Sequence, residues 1–278
     1  MTEDGEDSNP NNSFEMIPFS KMRQVVVDVL YHAKRRHTVW GLFEVDVTET
    51  RKILAEYKKK HEKSITLTAW MIFVISHALG KYPRMQAIRK GRNKLIIFDD
   101  VDINLIVERT IKNKKIPTSY VLRAANRKSL AEINEELYEV KNVKGDNMAL
   151  ETKKSSAGKL NTIANLPGFI RRLIFGYILR RPKLKKKFYG TVGITSVGMF
   201  GQGTHGGWPV QITPHNISFA LGALGRKPGI IGDKIAIREY LCITVAVDHD
   251  LIDGGPGTRF LKKLHTMLES SYGLNELN

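Results

Sequence analysis

The chain has 278 residues, 42% hydrophobic and 26% charged, an ordinary composition for a globular protein with room for a sizeable core. No apolar run approaches the ~20 residues needed to span a bilayer, and a single cysteine, Cys242, excludes intrachain disulfides and Cys-based metal sites. The formal net charge is +16, but Thr152 to Gly232 holds thirteen Lys and Arg and no Asp or Glu, which leaves only +3 for the rest of the chain.

Residues 1–14 are acidic and polar, lack the charged-then-apolar layout of a signal peptide, and read as a disordered tail. Residues 15–278 then read as one domain. Together with Cys242, an expected core residue, this points to a cytoplasmic protein. Ser20 is an N-cap candidate for a helix over Val25 to Ala33. His37 to Val47 alternates like a strand, and Thr48 is expected to cap a helix that runs to about Lys60. Thr66 to Gly80 is an almost uninterrupted apolar helix, buried on several sides. A hairpin is expected around Lys90-Gly-Arg-Asn93, then strands over 101–107 and 117–122, and a helix from Ser129 to about Val140.

The segment from about 141 to 189 is the hardest to account for by core packing. Phe169 to Leu179 suits a short helix with an apolar stripe of Ile170, Leu173, Ile174, Tyr177 and Ile178. Arg180 to Lys187 reads as an exposed basic run. Gly190 to Gly201 is a glycine-punctuated strand, 217–224 and 234–247 are two more with a turn around Lys227 to Asp233, and 256–271 closes as a helix. Alternating helices and strands followed by a strand-rich half predict an α/β fold with a large mixed sheet and flanking helices.

The chemistry centres on Leu241 to Gly255. An apolar strand ends in His249, followed four residues later by Asp253 and then Gly254-Gly255. A His there can move protons near neutral pH, and the glycines let the backbone turn. Alone, the stretch is equally a polar strand-to-helix turn. No Gly-x-Ser-x-Gly elbow supplies a nucleophile, which favours direct attack by a substrate thiol, hydroxyl or amine with His249 as base. Thr195 and Ser196 on the glycine-rich strand are hydroxyls that can donate to an oxyanion.

Five motifs in order resemble the catalytic domain of the E2 dihydrolipoamide acyltransferases of 2-oxo acid dehydrogenase complexes, whose fold is shared with chloramphenicol acetyltransferase. They are Pro18-Phe-Ser-Lys-Met-Arg23, Val45-Asp-Val-Thr48, Asn126-Arg-Lys-Ser-Leu-Ala-Glu-Ile133, Gly190-Thr-Val-Gly-Ile-Thr-Ser-Val-Gly198 and Val247-Asp-His-Asp-Leu-Ile-Asp-Gly254. The resemblance implies acyl transfer between a thioester and a thiol, with coenzyme A as one partner. It implies His249 as base, Thr195 as oxyanion donor, and Asp253 holding the loop through a salt bridge for which Arg23 is the candidate. Ser196 and Gly254 would support them, and no metal is assigned. It also implies a homotrimer in which His249 meets Thr195 of a neighbouring chain.

The departures shape the expected function. Only about sixteen residues precede the resemblance, so no lipoyl or subunit-binding domain and no attached lipoyl group is expected on this chain. Glu108 to Lys115 replaces the family's Asp-Thr-Pro-x-Gly-Leu stretch, and an altered, insertion-like basic segment lies between the Arg127-Lys-Ser-Leu130 stretch and the Thr195 strand. The expectation is a stand-alone coenzyme A-dependent acyltransferase. Its alternatives are a non-catalytic trimeric assembly core and an acyltransferase served by a lipoyl domain in trans. Residues 169–187 suit an anionic membrane surface, which would make the protein peripheral to the membrane. They lack the aromatic and motif pattern of a nucleic-acid site.

Overall fold

Fifteen consecutive residues, Lys234–Asp248, form strand β9, and its apolar half from Leu241 to Ala246 is buried. The computed structural model describes residues 14–61, 64–111, 114–142, 162–197, 202–203 and 206–275. The expected N-terminal tail lies outside them, apart from Phe14, as do residues 198–201 of the glycine-punctuated strand.

Strand β1 (Thr38–Asp46) pairs antiparallel with β9, which pairs antiparallel with β8 (Ile217–Ile231). Strand β6 (Val192–Ser196) is parallel both to β8 and to β4 (Ile103–Ile111), and β4 is antiparallel to β5 (Lys114–Leu122). The order β1-β9-β8-β6-β4-β5, with the short β7 (Gln202–Gly203) also on β8, is the large mixed sheet that the element pattern predicts. A separate two-stranded hairpin joins β2 (Ile88–Lys90) to β3 (Lys94–Ile96) around the expected turn.

Helix α1 spans Lys21–Ala33, α2 Thr48–Lys60, α3 Leu67–Lys81 and α4 Leu130–Asn142. Caps at three of these starts follow from local chemistry. Ser20 accepts from the Arg23 amide at 3.2 Å, Thr66 from the Ala69 amide at 3.1 Å, and Ser129 exchanges bonds with Glu132 in a capping box. Thr48 is not a cap. Val47 holds that position, and the amide and hydroxyl of Thr48 both donate to Asp46 Oδ1, at 2.9 and 2.6 Å. Helix α3 buries Ala69 to Ser76 without interruption, with Trp70 fully enclosed and its indole N–H on the Tyr272 carbonyl at 3.0 Å. Burying each such large side chain stabilises the fold by roughly 1.5–3 kcal/mol.

Residues 143–161 of the basic segment lie outside the described residues; its described part includes two helices, α5 (Gly168–Arg180) and α6 (Pro182–Tyr189), before the chain enters β6, and the last helix, α7, spans Gly254–Glu269. Two expectations change here. The run Arg180 to Lys187 is mostly helix and only partly exposed. The β8–β9 hairpin is longer than expected, because Lys227 to Ile231 keep pairing up to Ile231↔Lys234 and the turn falls at Gly232, with φ of +58°.

Candidate active site

His249 directly follows β9, and α7 begins five residues later at Gly254. The intervening turn closes on Asp248, whose carbonyl accepts from the amides of Leu251 at 3.0 Å and Ile252 at 3.1 Å. Ile252 is buried and pins the turn to the core, while His249, Asp253 and Gly254 are exposed. Asp253 sits at the N-cap of α7 but makes no side-chain cap bond. His249 is tethered by its backbone, its amide donating to the His37 carbonyl at 2.9 Å. The His37 ring bonds Asp250 at 2.8 Å, and that bond raises its pKa above the ordinary histidine value.

Beneath this turn lies a polar cluster that the motifs do not reveal. Arg36 forms an ion pair with the buried Asp248 at 2.9 Å and also donates to Asn216 Oδ1. The same oxygen accepts from Lys185 at 2.9 Å, and Lys185 is only 1% exposed. Burial first, and then the neighbouring Arg36 charge, hold the Lys185 ammonium well below its ordinary pKa. Next to it His215 bonds the Tyr189 carbonyl through Nε2 at 2.6 Å, and its other nitrogen, Nδ1, is buried without a partner. Burial, reinforced by the Lys185 charge, lowers His215 to about 3, so the ring is neutral. The ring lies against β6: a Cβ added at Gly193 would meet Nδ1 at 2.7 Å, which explains a glycine inside that strand. His215-Asn216, two polar residues before a strand, and Asp248 beside His249 were the available sequence signals.

Thr195 and Ser196 end β6, half-buried and exposed respectively. Thr195 is in register with Ala220 of β8, which faces Thr244 of β9. His249 lies five residues past Thr244, just beyond the end of β9, and two strands across, roughly 15–20 Å from Thr195 at ordinary strand dimensions. One chain therefore does not bring His249 and the Thr195 hydroxyl together. Nor does it join Arg23 to Asp253: no ion pair links them among the described residues. The ion pair under the loop is Arg36–Asp248.

Cys242 is buried beside Glu44, and burial raises its thiol pKa, so it suits the core and not a nucleophile. Within the basic segment, Arg171 and Arg172 bond the two oxygens of buried Asp28 at 2.6 and 2.9 Å, and Lys186 bonds Asp102 at 2.8 Å. With Lys185 on Asn216, four of the eight basic residues between Arg171 and Lys187 thus serve the fold. The helical stripe of α5 is also turned from its expected orientation: Arg171 and Phe175 are buried, while Leu173 and Tyr177 face outward.

The family model described as 2-oxoacid dehydrogenases acyltransferase (catalytic domain) matches residues 11–173 and 179–275. A dihydrolipoyllysine-residue succinyltransferase component of the 2-oxoglutarate dehydrogenase complex from Haemophilus influenzae is 24% identical over 262 residues, covering 92% of this chain and 54% of that one. The chain spans about half the length of such full-length curated relatives. Among solved structures, a probable dihydrolipoamide acetyltransferase from Listeria monocytogenes aligns with a TM-score of 0.65 at 20% identity, covering 93% of this chain and 96% of that one. A truncated catalytic core of the 2-oxoacid dehydrogenase multienzyme complex from Thermoplasma acidophilum gives 0.63 at 23% identity, with 93% and 99% covered. These structures share the fold.

Proposed function

Because this chain belongs to the family of 2-oxo acid dehydrogenase acyltransferase catalytic domains, we propose that it transfers an acyl group between coenzyme A and an acceptor thiol, with His249 as general base. The observation that carries the reading is the placement of His249. Its ring is exposed at the end of β9, on a turn anchored from below by Asp248, Arg36 and Asn216.

His249 takes the proton of the attacking thiol, and the resulting sulfur forms a bond to the thioester carbonyl carbon. The carbonyl oxygen becomes an oxyanion that accepts a hydrogen bond from Thr195. Collapse of the tetrahedral intermediate breaks the original carbon–sulfur bond, and the departing thiolate recovers the proton from His249. The base contributes roughly 10²–10⁴ in rate, and one oxyanion donor about 10²–10³.

The separation of Thr195 from His249 within one chain supports a site shared between protomers of a trimer. Apolar residues left on the surface support self-association: Val39, Trp40 and Leu42 of β1, and Ile230, Ile235 and Ile237 of the β8–β9 hairpin. Arg23 and Asp253, both exposed, would pair only once that assembly forms.

Release of free thiol from acetyl-CoA and longer acyl-CoAs, measured with a panel of thiol acceptors and a free lipoyl domain, tests the reading. Wild type should turn over and His249→Ala should not. Equal inactivity of both across the panel would favour the second reading, a trimeric assembly core without catalysis. Turnover only with the lipoyl domain would place the protein in a dehydrogenase complex that supplies that domain in trans.

A further inference from the structure

Helix α5 packs one side onto α1 and leaves the other bare. Arg171 reaches Asp28 at 2.6 Å, and the His32 ring lies over Gly176 and bonds the Arg172 carbonyl at 2.8 Å. On the opposite side Phe169, Leu173 and Tyr177 are 67%, 70% and 55% exposed. Their four-residue spacing lines them up on a single stripe.

Exposed basic residues border that stripe. Arg172 and Arg180 lie on the same outward arc of α5, and Arg181 stands over the Tyr177 ring at 5.0 Å. Lys183 and Lys187 continue the border on α6. Arg180, Arg181, Lys183 and Lys187 form no ion pair among the described residues. Exposed Val27, Leu30 and Tyr31 of α1 extend the apolar area, joined through the Arg172 guanidinium 5.0 Å above Tyr31. No acidic residue occurs anywhere between Thr152 and Gly232.

We propose that the outward face of α5, with the adjoining turns of α1 and α6, docks the protein onto an anionic membrane surface. The chemistry fits a helix lying in the interface: apolar side chains enter the acyl boundary while Arg and Lys meet lipid phosphates. No helix among the described residues is long and apolar enough to cross a membrane, so this one lies on it. Charge selects the occupant. An apolar stripe alone would suit a second copy of the chain, but that copy would present the same uncompensated positive border and repel it. The proposal does not depend on the acyl-transfer reading.

The test is flotation of the full chain with phosphatidylcholine vesicles, with and without phosphatidylglycerol, over a range of salt. Wild type should float only with the anionic vesicles, and progressively less as salt rises. Arg180→Gln, Arg181→Gln, Lys183→Gln and Lys187→Gln, added stepwise, should each weaken the partition by about fivefold. The triple variant Phe169→Ser, Leu173→Ser, Tyr177→Ser should lose binding while keeping its oligomeric mass and melting temperature. The proposal is overturned if wild type fails to float with anionic vesicles or floats equally with neutral ones. It is overturned as well if the charge variants bind like wild type, or if the triple variant drops in oligomeric mass, which would show that a second copy covers the stripe.

Discussion

Arg36 holds Asp248 at 2.9 Å immediately behind His249, on the inner side of the turn that presents this histidine. Asp248 is buried, and Arg36 is mostly so. Removing the cation would leave a buried carboxylate without its partner, which typically costs 3–5 kcal/mol. Arg36→Met should therefore lower the free energy of unfolding in urea by about 3 kcal/mol. Asp248→Asn, which removes the charge but keeps the shape, should cost less. If both variants unfold at the wild-type midpoint, the pair does not anchor the turn.

Lys185 gives a distinct pH signature. Its ammonium is depressed in the fold, so between the depressed value and the ordinary lysine value of 10.5 the unfolded chain binds the extra proton. Stability attributable to this residue must then rise with pH across that window. Lys185→Met removes the titration, and Asn216 Oδ1 still keeps its bond from Arg36. The expected outcome is a variant at least as stable as wild type at neutral pH, with a flatter dependence of stability on alkaline pH. Parallel pH profiles for the two proteins would contradict it.

The acid side belongs to His215. Its folded value of about 3 lies below the ordinary 6.5, so the unfolded chain gains a proton as pH falls through that interval while the folded chain does not. At pH 7 both states are neutral and the residue contributes nothing. Below 6.5 it destabilises increasingly, by a few kcal/mol near pH 4 on the order-of-magnitude linkage scale. His215→Phe should shift the acid-unfolding midpoint downward. Gly193→Ala, which drives a methyl toward the same ring, should cost about 1–3 kcal/mol at every pH.

What the chain reveals in advance, and what it conceals, divides along the range of the interactions. Ser20, Thr66 and the Ser129–Glu132 pair act within three residues, so their helix starts are legible. The apolar run of β9 leading to His249 is legible for the same reason, because alternation and burial are local patterns. Lys185 is different. As one of several lysines in a row it reads as solvated, and only the arrival of Asn216, thirty-one residues away, makes its burial tolerable. Arg171 likewise needs Asp28, 143 residues back, before a helix can turn a guanidinium inward and Leu173 outward. Periodicity locates the stripe of α5 but cannot orient it when a buried ion pair overrides hydrophobicity. The Lys227 to Ile231 stretch misleads in the opposite sense. Pro228 and Gly229 are turn residues by type, yet they pair through β9 and the hairpin runs on.

Asp28 is the clearest case of a residue whose loss should uncouple two helices. It is 2% exposed and receives Arg171 and Arg172 of α5 on its two oxygens. Asp28→Ala strands the buried Arg171 guanidinium, which should cost about 3 kcal/mol or more. Protection of α5 amides against hydrogen exchange should fall further than that of α3, because α5 is held to the body largely through α1. Uniform loss of protection across both helices would show that the ion pair supports the fold globally instead.

The proposed sharing of the site between protomers can be measured without seeing the assembly. Thr195 and His249 are separated by five residues and two strand spacings in one chain. If each site takes its base from one protomer and its hydroxyl from the next, two inactive variants should repair one another. Thr195→Ala alone should lower turnover by about 10²–10³, and His249→Ala by about 10²–10⁴. When the two are unfolded together in equal amounts and refolded, half of all protomers carry an intact base and half an intact hydroxyl. In a ring assembled at random, about one site in four then receives both. Activity should recover to about a quarter of wild type in the co-refolded sample and stay at the sum of the single variants in a sample mixed after folding. A site built within one protomer gives no recovery in either, since no chain in the mixture carries both residues.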